Sequence, residues 1–163
     1  MSRRKDKVQV PAEVKQALRA VLSDEDDTNW LVVDYADVNT LHVKASGAVG
    51  SEDSPLEAAR AHLEDNVEAY LLLRYQHMYG SKFAWVFWRP DRVSPLRKAL
   101  LSTHKPQVEN AMKPHQVQLV ACDHDELTEE AIMDKINFAA GTKYSLPYLP
   151  LCYLPLPLLP TPP

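Results

Sequence analysis

Apolar residues recur along the chain in two periods, and the switches between them mark nine elements. Val14, Leu18 and Val21 follow Pro11 at helical spacing, and proline is favoured at a first helical position. A helix is therefore predicted from Pro11 to the acidic run Asp24-Glu25-Asp26-Asp27. Trp30-Leu31-Val32-Val33-Asp34-Tyr35 reads as a strand, Asp37-Val38-Asn39 as a hairpin turn, and Thr40-Leu41-His42-Val43-Lys44 as an alternating, half-buried strand. Ser54-Pro55-Leu56-Glu57 is a capping box with proline at the first helical position, which opens a second helix striped by Leu56, Ala59 and Leu63.

Two continuous apolar runs, Tyr70-Leu71-Leu72-Leu73 and Phe83-Ala84-Trp85-Val86-Phe87-Trp88, predict strands over Val67 to Tyr75 and Lys82 to Arg89, with His77 to Ser81 as the turn. Strands without alternation imply a sheet covered on both faces. Ser94-Pro95 starts a third helix that keeps Leu101, Val108 and Met112 on one side. Pro106 is expected to kink or split it, because proline removes a helical hydrogen bond. Gln116 to Cys122 is a last strand. Leu127, Ile132, Ile136 and Ala139 stripe a final helix that Gly141 stops. Helices interleaved with five strands predict an α/β (α+β) fold, a central five-stranded mixed sheet sandwiched between helices.

The 163 residues suit one domain. Residues 1–10 form a basic arm, 11–143 the folded body and 144–163 a Pro/Leu-rich tail. Seven of the 13 prolines fall in the last 18 residues, a composition that favours an extended polyproline conformation. The tail's P-x-x-P spacings, Pro147-Tyr148-Leu149-Pro150 and Pro157-Leu158-Leu159-Pro160, suit a polyproline-binding partner. Its leucines and tyrosines equally suit self-association, and an extension without a role is a third reading.

A net charge of −4 argues against a nucleic-acid binder. Four glycines cannot build a dinucleotide or phosphate-binding fingerprint, and neither a nucleophile elbow nor a Cys-x-x-Cys pair occurs. Cys122 and Cys152 read as free thiols of a reducing compartment. The basic start lacks a following apolar region, so no signal peptide is expected, and no transmembrane segment either. Cys122-Asp123-His124-Asp125 reads as a strand-to-helix loop with Asp125 capping, since four consecutive residues cannot converge on one ion. Trp85 and Trp88, three apart on a strand, face opposite sides and read as core. No catalytic constellation, metal site or cofactor site is expected.

Charge is unevenly placed. From Arg74 to Lys113 there are eight basic residues, Arg92 and Lys113 among them, and only two acidic ones. A positive stretch in an acidic chain suggests a patch for an acidic partner.

Ser81-Lys82-Phe83-Ala84 leads a strand that ends in Trp88. Val93-Ser94-x-Leu96-x-x-Ala99 is followed by Thr103 and Lys105. Glu126-Leu127-x-Glu129 opens a helix that ends in Ala140-Gly141. In this order the set resembles the actin-depolymerising-factor homology (ADF-H) family, and within it the coactosin branch, over roughly residues 10–145. The resemblance implies a cytoplasmic, cytoskeletal protein that binds filamentous actin (F-actin) along its side without strong severing or depolymerisation. It implies contacts from Lys82 before the fourth strand and from Arg97, Lys98 and Lys105 on the long helix. Arg92 and Lys113 flank that helix, and Glu129, Glu130 and Lys135 lie on the last one. Two departures stand out. Ala99 occupies the second basic position of cofilin-type helices, which weakens the case for monomer binding. Asn137-Phe138 replaces the basic pair of animal coactosins, so their lipoxygenase partner is not implied. The alternative function is a cytoskeletal adaptor or self-associating scaffold working through the tail.

Overall fold

The computed structural model describes residues 6–141. Its elements follow the predicted order: α1 (Ala12–Leu22), β1 (Trp30–Tyr35), β2 (Leu41–Gly47), α2 (Pro55–Arg60), β3 (Ala69–His77), β4 (Gly80–Trp88), α3 (Pro95–Ala111), β5 (Val117–Ala121) and α4 (Glu129–Ala139). The strands form one mixed sheet in the order β2-β1-β3-β4-β5, with β4 and β5 parallel and the other neighbours antiparallel. A parallel pair needs a crossover, and α3 supplies it.

Strand side chains alternate between faces, so the apolar runs feed two separate cores. On one face Leu31, Val33, Tyr70, Leu72, Trp85 and Phe87 pack with Val14, Leu18 and Val21 of α1 and with Leu101 and Val108 of α3. On the other, Val32, Leu71, Leu73, Val86 and Trp88 pack with Leu56 and Ala59 of α2 and with Ile132 and Ile136 of α4. The two tryptophans divide between the faces as their spacing predicts. Val8 of the N-terminal arm is also buried, and Gln9 bridges to Thr40.

The β1–β2 pair carries one close approach. Gly47 lies opposite Trp30, and a Cβ there would stand 2.9 Å from Trp30 Cζ2. The indole is buried and stacked on His62, so it has little room to yield. Gly47→Ala is expected to cost about 1–3 kcal/mol as an overpacking change, read as a lower thermal unfolding midpoint.

Five details depart from the sequence reading. The β3–β4 ladder runs on to His77 opposite Gly80, so the turn is only Met78-Tyr79 and Lys82 stands inside the strand. Gly80, at φ +100°, permits that tight reversal. Pro106 does not split α3: Leu101, His104 and Val108 bury themselves on both sides of it, and that packing outweighs the lost hydrogen bond. The last helix opens later than expected, with Thr128 as its cap: Thr128 Oγ1 accepts from Ala131 N at 3.1 Å. In the loop before it, Asp123 rather than Asp125 caps, accepting from Glu126 N at 2.9 Å.

Arg74 is the fifth departure. Counted in the basic stretch, it is instead buried, on the α1/α3 face of β3. Its guanidinium donates to the carbonyls of Val21 at 3.0 Å, of Ser23, and of Asp26 at 2.5 Å. It therefore holds the acidic loop that follows α1, and Ser81 Oγ reaches Asp24 of the same loop at 2.9 Å.

Candidate functional site

The predicted site residues fall into two groups at opposite ends of the sheet. The first surrounds the β3–β4 hairpin. Lys82 pairs across the ladder with Tyr75 and points to the α2/α4 face, sharing the parity of Ala84, Val86 and Trp88. Side chains directly opposite on an antiparallel pair lie about 4.5–5.5 Å apart at Cβ, so the Tyr75 ring flanks the lysine stem. Tyr75 is itself fixed: its hydroxyl donates to Glu129 Oε2 at 3.2 Å, and Ser54 Oγ donates to the same carboxylate oxygen. Glu129 thus joins α2, β3 and α4. Lys82 is half-buried and has no ion-pair partner among the described residues.

The hairpin tip is apolar and exposed, with Met78 at 78% and Tyr79 at 65%. His77 Nε2 lies 3.1 Å from Asn137 Oδ1, which binds the tip to the end of α4, next to exposed Phe138. Lys135 and Glu130 are exposed on α4, and Lys113 is exposed just ahead of β5, whose first residue pairs with Ala84. Sequence reasoning missed Tyr75 as an anchor, although its spacing from Leu71 and Leu73 placed it on the Lys82 face.

The second group lies where α3 begins, beyond the Trp88 end of β4. Six residues of strand, about 20 Å at 3.3 Å per residue, separate Lys82 from Trp88. Arg92 is exposed in the loop before the helix. Lys98 is half-buried and donates to Asp91 O at 3.0 Å. Lys105 is half-buried and stands past the middle of α3, nearer Ala111 than Pro95. Leu96 is 84% exposed in the first turn. Arg97 turns inward: its Nε meets Glu68 Oε1 at 2.6 Å, its Nη1 donates to Val38 O at 2.8 Å, and Cζ sits 4.5 Å from the centre of the Tyr35 ring. The basic stretch therefore does not form one patch. Arg74 is inside, Arg97 is paired, and the remaining cations are spread over the two ends and along α3.

Behind Arg97 runs a buried polar chain. The Tyr35 hydroxyl is 2.8 Å from that of Tyr70 and 3.2 Å from Nδ1 of the fully buried His104 on α3. Burial pushes Tyr35 up to about 12, and burial also raises Tyr70 and Tyr75. A tyrosine held neutral in the fold but free to ionise when unfolded contributes stability that is whole below about pH 10 and is lost above it. The protein is thus expected to lose up to about 1.4 kcal/mol per pH unit for each such tyrosine between about pH 10 and pH 12. Denaturant midpoints measured through that range would show the slope, and Tyr35→Phe should make it shallower.

Among the described residues no group of three or more His, Cys, Asp or Glu is placed to hold a metal ion, and no helix is long and apolar enough to cross a membrane. Cys152 and the P-x-x-P segments lie outside the described residues.

Residues 7–137 match the family described as cofilin/tropomyosin-type actin-binding protein. Coactosin of Dictyostelium discoideum is 31% identical over 137 residues, covering 82% of this chain and 91% of that protein. Protein app1 of Schizosaccharomyces pombe is 30% identical over 139 residues, which cover 83% of this chain but only 15% of that much longer protein. The crystal structure of coactosin from Entamoeba histolytica superposes with a TM-score of 0.74 at 23% identity, over 83% of this chain and 99% of that one, and supports the fold. With the sheet order, the two helical layers and these matches in agreement, the chain belongs to the cofilin/tropomyosin-type actin-binding family, as a coactosin-like protein with a single ADF-H domain.

Proposed function

We propose that this protein binds the sides of actin filaments through the hairpin end and the α3 end of its sheet, and regulates filament dynamics without strong severing or depolymerisation. The observation that carries the reading is Lys82: a cation with no ion-pair partner among the described residues, paired across the ladder with Tyr75 of the Tyr75–Glu129 anchor beside the exposed Met78-Tyr79 tip. A filament side needs no nucleophile, acid or metal in its ligand. It needs placed positive charge with apolar surface next to it, and both ends offer that combination. Lys113 and Lys135 add charge at the hairpin end, Arg92 and Lys98 at the α3 end, and Lys105 further along that helix, while Glu129 serves as an internal tie and Glu130 stays exposed. Ala99, in place of a second helix cation, favours filament over monomer. Association with the cytoskeleton follows from the same reading.

Cosedimentation of the full chain with filaments tests it. Pelleting is expected at low salt and should decline as salt rises, because exposed charge pairs are screened. Filament lengths viewed by fluorescence should stay unchanged. Failure to pellet at low salt overturns the reading. The proline-rich tail offers a separate contact, for a polyproline-binding protein or a second copy. Deleting the residues after Lys143 should then reduce the number of copies per particle in sedimentation or abolish capture on a resin carrying a polyproline-binding domain, and an unchanged result in both removes that contact.

A further inference from the structure

We infer that Arg97 is a positioning residue, a latch that sets where α3 sits, and that it acts on a bound filament only through that position. The inference rests on the filament-binding reading above and changes the role which family resemblance would assign to this side chain. Glu68 precedes β3 and its side chain is only 10% exposed. A carboxylate so buried is costly without a partner, and Arg97, at 2.6 Å, is its ion-pair partner among the described residues. Swinging the guanidinium outward to a filament would strand that carboxylate. It would also release the Val38 carbonyl and uncover the Tyr35 ring.

The latch acts at a defined place. Val38 belongs to the turn between β1 and β2, which Asp37 Oδ1 closes by accepting from Asn39 N at 3.0 Å and Thr40 N at 2.9 Å. Arg97 thus ties the first turn of α3 both to that turn and to the start of β3. Two helical turns later His104 reaches the same Tyr35 through its hydroxyl. The helix is attached at two heights to one tyrosine of β1, which fixes its tilt and its height over the sheet. Leu96, Lys98 and Arg92 then face outward in an arrangement that the latch holds. Arg92 and Lys105 have no such internal commitments among the described residues and remain available as contacts.

A double-mutant cycle on the full chain separates a latch from a contact. Arg97→Gln, Glu68→Gln and the double variant are compared for filament affinity by cosedimentation across a salt series, and for thermal unfolding. A contact role predicts that Glu68→Gln, which removes a negative charge and frees the guanidinium, leaves binding equal or tighter. A latch predicts that each single variant weakens binding by a similar factor, about 3- to 30-fold, and that the double variant is no weaker than either. It also predicts that the salt dependence keeps its slope, since no interfacial charge is lost. Tighter or unchanged binding in Glu68→Gln, or a shallower salt slope in Arg97→Gln, overturns the latch, and so do additive shifts in the unfolding midpoint. If the wild type does not pellet at all, the filament reading fails, while non-additive unfolding midpoints would still establish the latch.

Discussion

Lys82→Ala should weaken filament binding by about 30-fold or more while leaving the fold intact. Truncating one member of a desolvated charge pair costs about 2–5 kcal/mol, and 2 kcal/mol is already about 30-fold in affinity. The larger figure applies because this ammonium is not a loose surface charge. The strand fixes its base, and the Tyr75 ring, tied by its hydroxyl to Glu129, flanks its stem. A rim cation such as Lys105 is expected to contribute only about 0–1 kcal/mol. Lys105→Ala therefore serves as the control in the same cosedimentation series. The unfolding midpoint of Lys82→Ala should match the wild type within a degree or two, since no ion pair among the described residues is lost. Pelleting of Lys82→Ala at wild-type levels would sink the hairpin contact.

Arg74→Met is expected to be the most destabilising surface-count residue to replace, at about 3 kcal/mol or more. Methionine keeps much of the apolar stem, so the loss is chiefly of hydrogen bonds. The Val21 carbonyl is buried and the Ser23 carbonyl half-buried, and each loses its guanidinium donor. An acceptor left buried and unsatisfied costs about 1–3 kcal/mol. The Asp26 carbonyl, in an exposed residue, can turn to water and adds little. In a domain whose total stability is about 5–15 kcal/mol, such a loss should lower the melting temperature by roughly 10 °C. Arg74→Lys should fall between, because one ammonium cannot reach three carbonyls. A melting temperature within a few degrees of the wild type in Arg74→Met would show that the acidic loop holds itself.

The sheet and its helices were legible in the sequence because periodicity reports burial directly. The runs Tyr70–Leu73 and Phe83–Trp88, short and rich in aromatic residues, read as strands covered on both faces, and the Ser-Pro caps at Ser54 and Ser94 marked two helix starts correctly. The reading lost accuracy where side-chain partners decide the outcome. Arg74 entered the tally as surface charge, although its parity with Tyr70 and Leu72 already placed it on a buried face. Arg97 looked like a free first-turn cation because Glu68 lies 29 residues away in sequence, beyond the reach of any local pattern. Pro106 suggested a broken helix because propensity cannot register how tightly Leu101 and Val108 pack on either side of it. The anchor Tyr75–Glu129–Ser54 spans three elements and appears only once they are assembled.

The parallel union of β4 with β5 has a consequence for how the chain reaches its native state. The hairpin of β3 and β4 closes over a two-residue connection, whereas Ala84 must wait for Val117, which arrives only after the whole of α3. Contacts distant in sequence carry a larger loop-closure cost and form slowly. The fifth strand is thus expected to dock late, and the helix that delivers it is one of the two surfaces proposed to meet a filament. A filament gripping that helix would favour the docked state over the undocked one by mass action, and so slow the fraying of the sheet's far edge.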